Sequence, residues 1–262
     1  MNKFNLPTEV IDLPSMGLLY PKDNPLSSGK IEMKYMTARE EDILSNQSYI
    51  TKGIVIDKLL QSLIVDKSVD YNTLLVCDKN AIMIAARILG YGKEYKFMYQ
   101  GKETSIDLSK LDTKKTDMTL FKDGVNEFEF ELPLSKNKVT WKILDHSTEQ
   151  QIVEEIKGLQ KIKKDDNPST TTRFKYIITS VNGDTKPATI RDFVDSAFLS
   201  QDVRALRDEI FKVTPDIDLT FSPSPKSPRV NIPIGVSFFY PSLAFWFKKN
   251  SIWSNSRNSI LW

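Results

Sequence analysis

Residues 33–44 read Met-Lys-Tyr-Met-Thr-Ala-Arg-Glu-Glu-Asp-Ile-Leu, and the spacing of apolar side chains changes within them. Apolar and charged residues alternate over 31–36, which predicts a strand with one buried face. Thr37 stands three residues before Glu40, the spacing of a capping box in which each residue reaches the backbone N–H of the other. Three successive acids, Glu40 to Asp42, then fall in the first helical turn, where the helix dipole favours negative charge. We therefore predict a strand that leads directly into a capped helix.

Length and composition indicate a globular protein with a sizeable core. The chain has 262 residues, enough for one large domain or two ordinary ones, and 40% of them are hydrophobic. Its 36 lysines and arginines nearly balance 34 aspartates and glutamates, for a formal net charge of +2. No global electrostatic field therefore draws the protein to nucleic acid or to an anionic membrane, and any such binding would need a local patch.

Three further features indicate a cytoplasmic protein. Cys77 is the only cysteine, which excludes an intrachain disulfide and fits a reducing compartment. The first residues lead into Pro7 and Glu9 without the apolar region of a signal peptide. No apolar run approaches the roughly 20 residues that a membrane-spanning helix needs. We expect a protein that is made in, and used from, a cytoplasm.

The N-terminal third predicts an irregular arm followed by helices. Residues 1–30 look irregular, since 13–21 carries two prolines and a glycine among apolar residues. Two interpretations stay open: a turn-rich arm packed on its own domain, or an extended arm that docks on another subunit. Apolar residues recur at helical spacing over 56–64. Asp78 is a suitable N-cap for a buried helix from Lys79 to Leu89.

The next part of the chain changes from a helical to an alternating period. Residues 95–99 alternate and 104–108 could return beside them, while 126–132 and 139–144 form a second alternating pair. A small, mainly antiparallel sheet is the simplest arrangement of these strands. The polar residues 110–119 are predicted to form a loop.

The second half of the chain predicts another helical group and a terminal hairpin. A helical pattern covers 149–164, 171–181, 190–197 and 201–212. Residues 215–221 alternate again, and 229–232 would return as the second strand of a hairpin. The predicted fold class is α+β: a helical N-terminal half, a small mainly antiparallel sheet, a second helical group and a C-terminal hairpin. The corresponding segments are 1–92, 93–147, 148–214 and 215–262, the last with an aromatic tail.

Residues suited to catalysis are scarce. His146 is the only histidine, and we expect it to cap a strand-to-helix junction rather than to act in catalysis. Cys77 lies in an apolar helical context typical of a core position. No glycine-rich phosphate loop is present, and the loop at 222–227 has serines and prolines where a zinc ribbon would need cysteines. We predict no catalytic residue, no metal and no cofactor.

Two surface features bear on partners. Lys157, Lys161, Lys163 and Lys164 form a basic patch, but acids flank it, so a solvated helix end is favoured over nucleic-acid binding. Aromatic residues beside lysines fill the C-terminal end, where a protein contact, a membrane-interface anchor and packing on the protein's own domain all stay open. Protein contacts are the favoured interpretation for both irregular apolar segments. The predicted contact residues are Leu13, Pro14, Leu18, Leu19, Tyr20, Phe238, Phe239, Tyr240 and Pro241.

Eight segments, taken in their order along the chain, carry a family resemblance. They are Ile11–Pro21, Gly29–Ile31, Met36–Leu44, Arg87–Gly92, Ile178–Gly183, Arg204–Arg207, Pro215–Asp218 and Phe238–Pro241. Together they resemble the baseplate hub assembly proteins of T-even-type contractile-tailed bacteriophages, over about residues 8 to 242. The chain departs from the family's pattern at 222–227, where cysteines are absent, and after Ser242, where we find no match.

The resemblance implies a non-enzymatic role in building the central hub of the tail baseplate. It implies phage hub and tail proteins as partners, and the host cytoplasm during assembly, or the baseplate of the virion, as the location. A structural subunit and a transient assembly chaperone both stay open, as does self-association into a homo-oligomer. Two rival functions remain: a nucleic-acid-binding tail component, and an enzyme that acts through carboxylates alone. No small-molecule substrate and no membrane span are expected.

Overall fold

Residues 8–34 contain a two-stranded antiparallel sheet. The computed structural model describes residues 6–162, 167–223, 227–234 and 236–239. Strand β1, Thr8–Asp12, pairs with strand β2, Lys30–Lys34. The predicted strand within 31–36 is confirmed, but the expectation that 1–30 is irregular is wrong for β1. These five residues show no clear apolar alternation of their own, and their pairing with β2 makes them a strand.

Helix α1, Ala38–Ser45, begins at the predicted capping box. The backbone N–H of Thr37 donates to the Glu40 carboxylate at 2.9 Å, and the Thr37 hydroxyl donates to the same oxygen at 2.6 Å. The predicted passage from strand to capped helix is therefore confirmed. Helices α2, Gln47–Lys52, and α3, Val55–Leu63, follow after short turns.

Helix α4, Val76–Tyr91, is buried on almost all sides, as its apolar run predicts. It begins earlier and ends later than predicted, because Leu75 occupies the N-cap position and Gly92 ends the helix with a φ of +81°. The prediction that Asp78 is the N-cap is therefore wrong. Asp78 lies in the first turn, fully buried, and its carboxylate makes tertiary contacts instead.

The strands of the middle segment form two separate antiparallel units. Strand β3, Glu94–Tyr99, pairs with β4, Lys102–Asp107, across the turn at Gly101. Strands β5, Phe128–Glu131, β6, Lys138–Trp141, and β7, Ile178–Val181, make a three-stranded sheet in that order. The predicted antiparallel pairing is thus confirmed, but the strands form two small sheets. The third strand of the larger sheet, β7, comes from far along the chain.

The helices of the second helical group precede and follow strand β7 along the chain. The group comprises α5, His146–Ile162, α6, Ser169–Ile177, α7, Pro187–Asp192, and α8, Ser200–Val213, with a π-helical turn, Phe193–Ala197, after α7. The helix predicted over 171–181 is wrong beyond Ile177, because the β-branched residues that follow pair with β6. Strands β8, Thr220–Phe221, and β9, Val230–Asn231, form the predicted C-terminal hairpin, and a turn of helix, α9, Val236–Phe239, follows.

The fold is α+β, as predicted, and side chains from all four segments meet in one hydrophobic core. Leu59 of α3, Trp141 of β6, Phe174 of α6 and Phe238 of α9 are among its fully buried members. The four segments therefore differ in secondary structure but share one core. Among the described residues, no helix has the length and apolar character needed to cross a membrane.

Candidate protein-contact surfaces

The N-terminal arm, residues 13–21, does not present the surface that its apolar content predicts. Leu13, Leu19 and Tyr20 are only 2% to 3% exposed, Pro14 is buried and Leu18 is half-buried. The prediction that these side chains form an exposed contact surface is therefore wrong, because they pack into the protein's own core. Of the two arrangements considered for the arm, the observed one is packing on its own domain.

Asp78 of α4 holds this arm in place. Its Oδ1 accepts the backbone N–H of Ser15 at 2.9 Å, and its Oδ2 accepts the hydroxyls of Ser15 and Tyr20, each at 2.7 Å. The Tyr20 hydroxyl in turn accepts the backbone N–H of Leu75 at 3.0 Å. Burial raises the pKa of Asp78 against these hydrogen bonds, and burial together with Asp78 raises the pKa of Tyr20 well above its ordinary value. Tyr20 therefore stays a protonated donor at physiological pH.

The arm folds back on itself at a glycine. Gly17 has a φ of +77°, and a Cβ at this position would lie 2.4 Å from the backbone oxygen of Ser27. The Leu13 N–H donates to the Gly29 carbonyl at 2.8 Å, a second contact between the arm and residues 27–29. The prolines and glycine that suggested an exposed docking segment therefore belong to a tightly packed internal turn.

The C-terminal aromatic residues are also internal. Phe238 and Phe239 are fully buried, and the Phe238 ring packs edge-on against Tyr95 of β3 at a centroid separation of 4.8 Å. The predicted contact surface at Phe238 and Phe239 is therefore wrong, since their own chain covers both rings. Tyr240 and Pro241, the other two predicted contact residues here, lie outside the described residues.

Polar side chains of α4 also hydrogen-bond to the segment around Asp216 and to the residues just after the helix. The Asn80 amide donates to both carboxylate oxygens of Asp216 at 3.1 Å. Burial raises the pKa of Asp216 to about 6, against the hydrogen bond from Asn80. Arg87 donates to the carbonyl oxygens of Gly92 at 2.8 Å and Glu94 at 3.2 Å, which closes the end of the helix. The arm, the end of α4 and the segment around Asp216 thus meet on one helix.

Glu40 accepts hydrogen bonds at both carboxylate oxygens. Besides the two bonds from Thr37, Oε1 accepts Lys34 Nζ at 2.7 Å and the Ser62 hydroxyl at 2.6 Å. Burial alone would raise its pKa, but the bonds from Lys34, Ser62 and Thr37 outweigh burial and lower the pKa to about 2. Glu40 therefore ties β2, α1 and α3 together as a group that is charged at neutral pH.

His146 lies in a polar cluster between α3, α4 and α5. Lys79 Nζ lies 2.6 Å from Asp57 Oδ1 and 3.4 Å from His146 Nδ1, and the Tyr71 hydroxyl donates to the same Asp57 oxygen at 3.0 Å. Burial, followed by the Lys79 charge, lowers the pKa of His146. The four side chains are largely covered and do not line the groove described below. The cluster joins the three helices, and only Lys79 is appreciably exposed.

The described residues contain no group of three or more histidine, cysteine, aspartate or glutamate side chains that could hold a metal ion. Cys77 is buried, and burial raises the pKa of its thiol well above the ordinary value. Lys157 and Lys161 are exposed on α5, while Lys163 and Lys164 lie outside the described residues.

A groove of about 250 Å³ opens beside the three-stranded sheet. Phe128 and Trp141 stack in its wall with ring centroids 4.7 Å apart. Leu120 and Val125, from the chain before β5, also line it and are 46% and 40% exposed. The remaining lining residues are Lys122, Glu127, Glu129, Thr140, Glu209 and Val213. We call this feature the Leu120 groove.

The Leu120 groove combines an apolar wall with an excess of acids. Three glutamates and one lysine line it, which suits an apolar side chain flanked by lysine or arginine. Trp141 adds a buried indole N–H that has no acceptor among the described residues, although such donors are normally paired. The sequence patterns did not indicate this surface. The available signal was the few isolated apolar residues, Leu120, Phe121 and Val125, in a polar stretch.

Taken together, the fold and these clusters define an α+β protein whose buried polar groups serve its own packing. Comparison with protein-family models, with curated proteins and with solved structures finds no match to this chain.

Proposed function

We propose that this chain is a non-enzymatic baseplate hub protein that acts in hub assembly through protein-protein contacts. The observation that carries the proposal is the Leu120 groove, where the exposed aliphatic side chains of Leu120 and Val125 border a buried, stacked aromatic pair. Exposed apolar surface rimmed by charge is typical of protein contact sites. The order of the eight resembling segments supports a phage hub setting, with hub and tail proteins as partners in the host cytoplasm or in the virion baseplate.

The placement of the perturbed carboxylates supports an assembly role over an enzyme that acts through carboxylates. Such an enzyme would expose carboxyl groups of raised pKa in a cleft. Asp78 and Asp216 have raised pKa values, but both are largely buried, accept hydrogen bonds from the chain's own donors and are absent from the groove lining. Their role is to hold the arm and the Asp216 segment on α4.

The charge of the Leu120 groove also favours a protein partner over nucleic acid. Glu127, Glu129 and Glu209 would repel phosphates, whereas nucleic-acid sites concentrate lysine and arginine. A nucleic-acid-binding protein would show steeply salt-dependent DNA retention. Gel shifts at low and moderate salt test this rival directly, and we expect no retention at either.

Capture from infected cells tests the proposal. The tagged full chain is compared with the double variant Leu120→Asp and Val125→Asp, which places charge on the apolar wall. A matched double variant, Met98→Asp and Leu134→Asp, alters two exposed apolar residues outside the groove lining. Mass spectrometry identifies the captured hub and tail proteins, and circular dichroism verifies that each variant is folded. Mass spectrometry of purified particles separates a virion subunit from a chaperone.

We expect the wild-type chain and the matched control to capture hub proteins equally. The groove variant should capture at least about tenfold less, since hot-spot residues each contribute more than about 1 kcal/mol. Equal capture by all three proteins would remove the groove from the proposal. Capture of no hub or tail protein by the wild-type chain would overturn the assembly role itself.

A further inference from the structure

Within the part of the chain that the structure describes, β1 pairs with β2 on one side and with no strand on the other. The Pro7 carbonyl accepts the Tyr35 N–H at 3.1 Å, and the Leu13 N–H donates to the Gly29 carbonyl at 2.8 Å. Because backbone bonds alternate along an antiparallel pair, the odd-numbered positions from 7 to 13 are the ones bonded to β2. The N–H and C=O groups at positions 8, 10 and 12 therefore point away from β2.

The β2 edge of this sheet is bonded to another segment, whereas no second strand among the described residues pairs with β1. On the β2 side, the Val65 N–H donates to the Glu32 carbonyl at 3.0 Å, and Met33 forms a bridge with Ile64. On the β1 side, no strand among the described residues pairs with Thr8–Asp12. The strand contains no proline, lysine or bulge, which are devices that block pairing at an edge, and its two charged residues are the acids Glu9 and Asp12. Val10, at its centre, is 56% exposed.

We propose that β1 pairs with β1 of a second copy of this chain, antiparallel across a twofold axis at Val10. This register places Val10 against Val10 of the second copy and Thr8 against its Asp12, and each such pair exchanges two backbone hydrogen bonds. Glu9 then lies opposite Ile11. The result is a continuous four-stranded sheet, with β2 of each copy on the outside and the two β1 strands in the centre.

Charge and strand length together select this register over its two neighbours. Shifting the pairing so that Thr8 faces Val10 places Glu9 directly against Glu9 of the second copy. The opposite shift, which centres the axis on Ile11, opposes no like charges but pairs only residues 10–12 of each strand. Like charges directly opposite destabilise a strand pair, whereas a Val-Val pair and a Thr-Asp pair do not. The register centred on Val10 also pairs all five residues of β1 and leaves no like charges opposite. The edge is therefore complementary to itself.

The contact is small, so the association is weak and depends on concentration. One short strand pair buries less than the roughly 1,200 Å² at which stable interfaces begin. This inference goes beyond the proposed function and is independent of it, since the edge lies outside the Leu120 groove. Hub capture through the groove can succeed when self-pairing fails, and the reverse also holds.

Oxidative crosslinking of a Val10→Cys variant tests the register. Paired Cα atoms across the axis would lie about 5.5 Å apart, within the span of a disulfide. With oxidised glutathione as oxidant, two thiols join as a disulfide while the reagent is reduced to two glutathione thiols. The native Cys77 is buried and does not compete. Met98→Cys is the matched control, since Met98 is an exposed residue of a strand, β3, in another sheet.

We expect Val10→Cys to form a covalent dimer at least about tenfold faster than Met98→Cys at the same protein concentration. Sedimentation equilibrium of the wild-type chain should show mass rising with concentration, and Val10→Lys, which opposes two cations across the axis, should abolish that rise. Met98→Lys should leave it unchanged. Equal crosslinking of the two cysteine variants, or a wild-type chain that stays monomeric at the highest concentration, overturns the proposal. Occupation of the edge by another segment or another protein would produce that outcome.

Discussion

Replacing Glu40 with glutamine tests the carboxylate that ties β2, α1 and α3 together. The variant keeps the shape of the side chain but replaces the carboxylate, which accepts hydrogen bonds from Lys34, Ser62 and Thr37, with a neutral amide. A folded-state pKa of about 2, against an ordinary value of 4.5, corresponds to about 3 kcal/mol of stability contributed by the ionised form. We expect Glu40→Gln to lower the free energy of unfolding at neutral pH by about this amount.

The pH dependence of this loss follows from the sign of the shift. Because the folded-state pKa lies below the unfolded value, the contribution is complete well above pH 4.5 and is lost as the pH falls towards 2. By about pH 3.5 the difference between wild type and variant should shrink by roughly 1.4 kcal/mol. Urea unfolding at neutral and acidic pH, followed by tryptophan fluorescence, measures both quantities.

Glu41→Gln is the matched control. Glu41 carries the same charge in the same first turn of α1 but is exposed. Its interaction with the helix dipole contributes about 0.5 kcal/mol, and we expect a loss no larger than that. The reasoning is refuted if both variants lose the same stability. It is equally refuted if the difference between wild type and Glu40→Gln stays constant as the pH falls.

Three further perturbations address the other polar clusters. Asp78→Ala leaves the Ser15 and Tyr20 donors without their acceptor. Urea unfolding should show that the free energy of unfolding falls by at least about 3 kcal/mol. A fall of less than about 1 kcal/mol would contradict the contact between Asp78 and the arm. Asp202→Ala removes the acceptor for the backbone N–H groups of residues 134 and 135, and should cost about 2 kcal/mol at neutral pH. Since these bonds outweigh burial and lower the pKa of Asp202, that cost should diminish as the pH falls through and below 3.8. The single His146 imidazole should titrate by NMR with a midpoint below 6.5, because burial lowers its pKa. The fold should therefore lose stability as the pH falls below 6.5. A midpoint above 6.5 would contradict the buried placement of His146.

Several elements could be predicted because the interactions that form them are local. Thr37 and Glu40 are one helical turn apart, so their capping box depends on little else. The β5–β6 hairpin follows from alternation on both sides of a short turn. The end of α6 could not be predicted in this way. Residues 178–181 continue an apolar pattern, and only a strand about 40 residues earlier, β6, makes them β7.

The packing of the predicted contact residues in the arm also depends on residues far away in the sequence, so local patterns could not predict it. An apolar, proline-containing arm has the same composition whether it packs on its own domain or on another subunit. The distinction depends on Asp78, which is some 60 residues away in sequence and accepts the Ser15 and Tyr20 hydroxyls. The Leu120 groove was missed for a related reason, since its lining is drawn from a loop, two strands and α8.

The sequence by itself determined the fold class, the start of α1, the buried centre at α4 and most of the hairpins, because capping and apolar periodicity act between residues a few positions apart. Only the tertiary structure decided which apolar segments face inward. The arm and the aromatic residues before position 240 are covered because distant parts of the chain offer them matching surfaces and hydrogen-bond acceptors. The Leu120 groove and the open edge of β1 exist for the complementary reason: they are the surfaces that this packing leaves without a partner among the described residues.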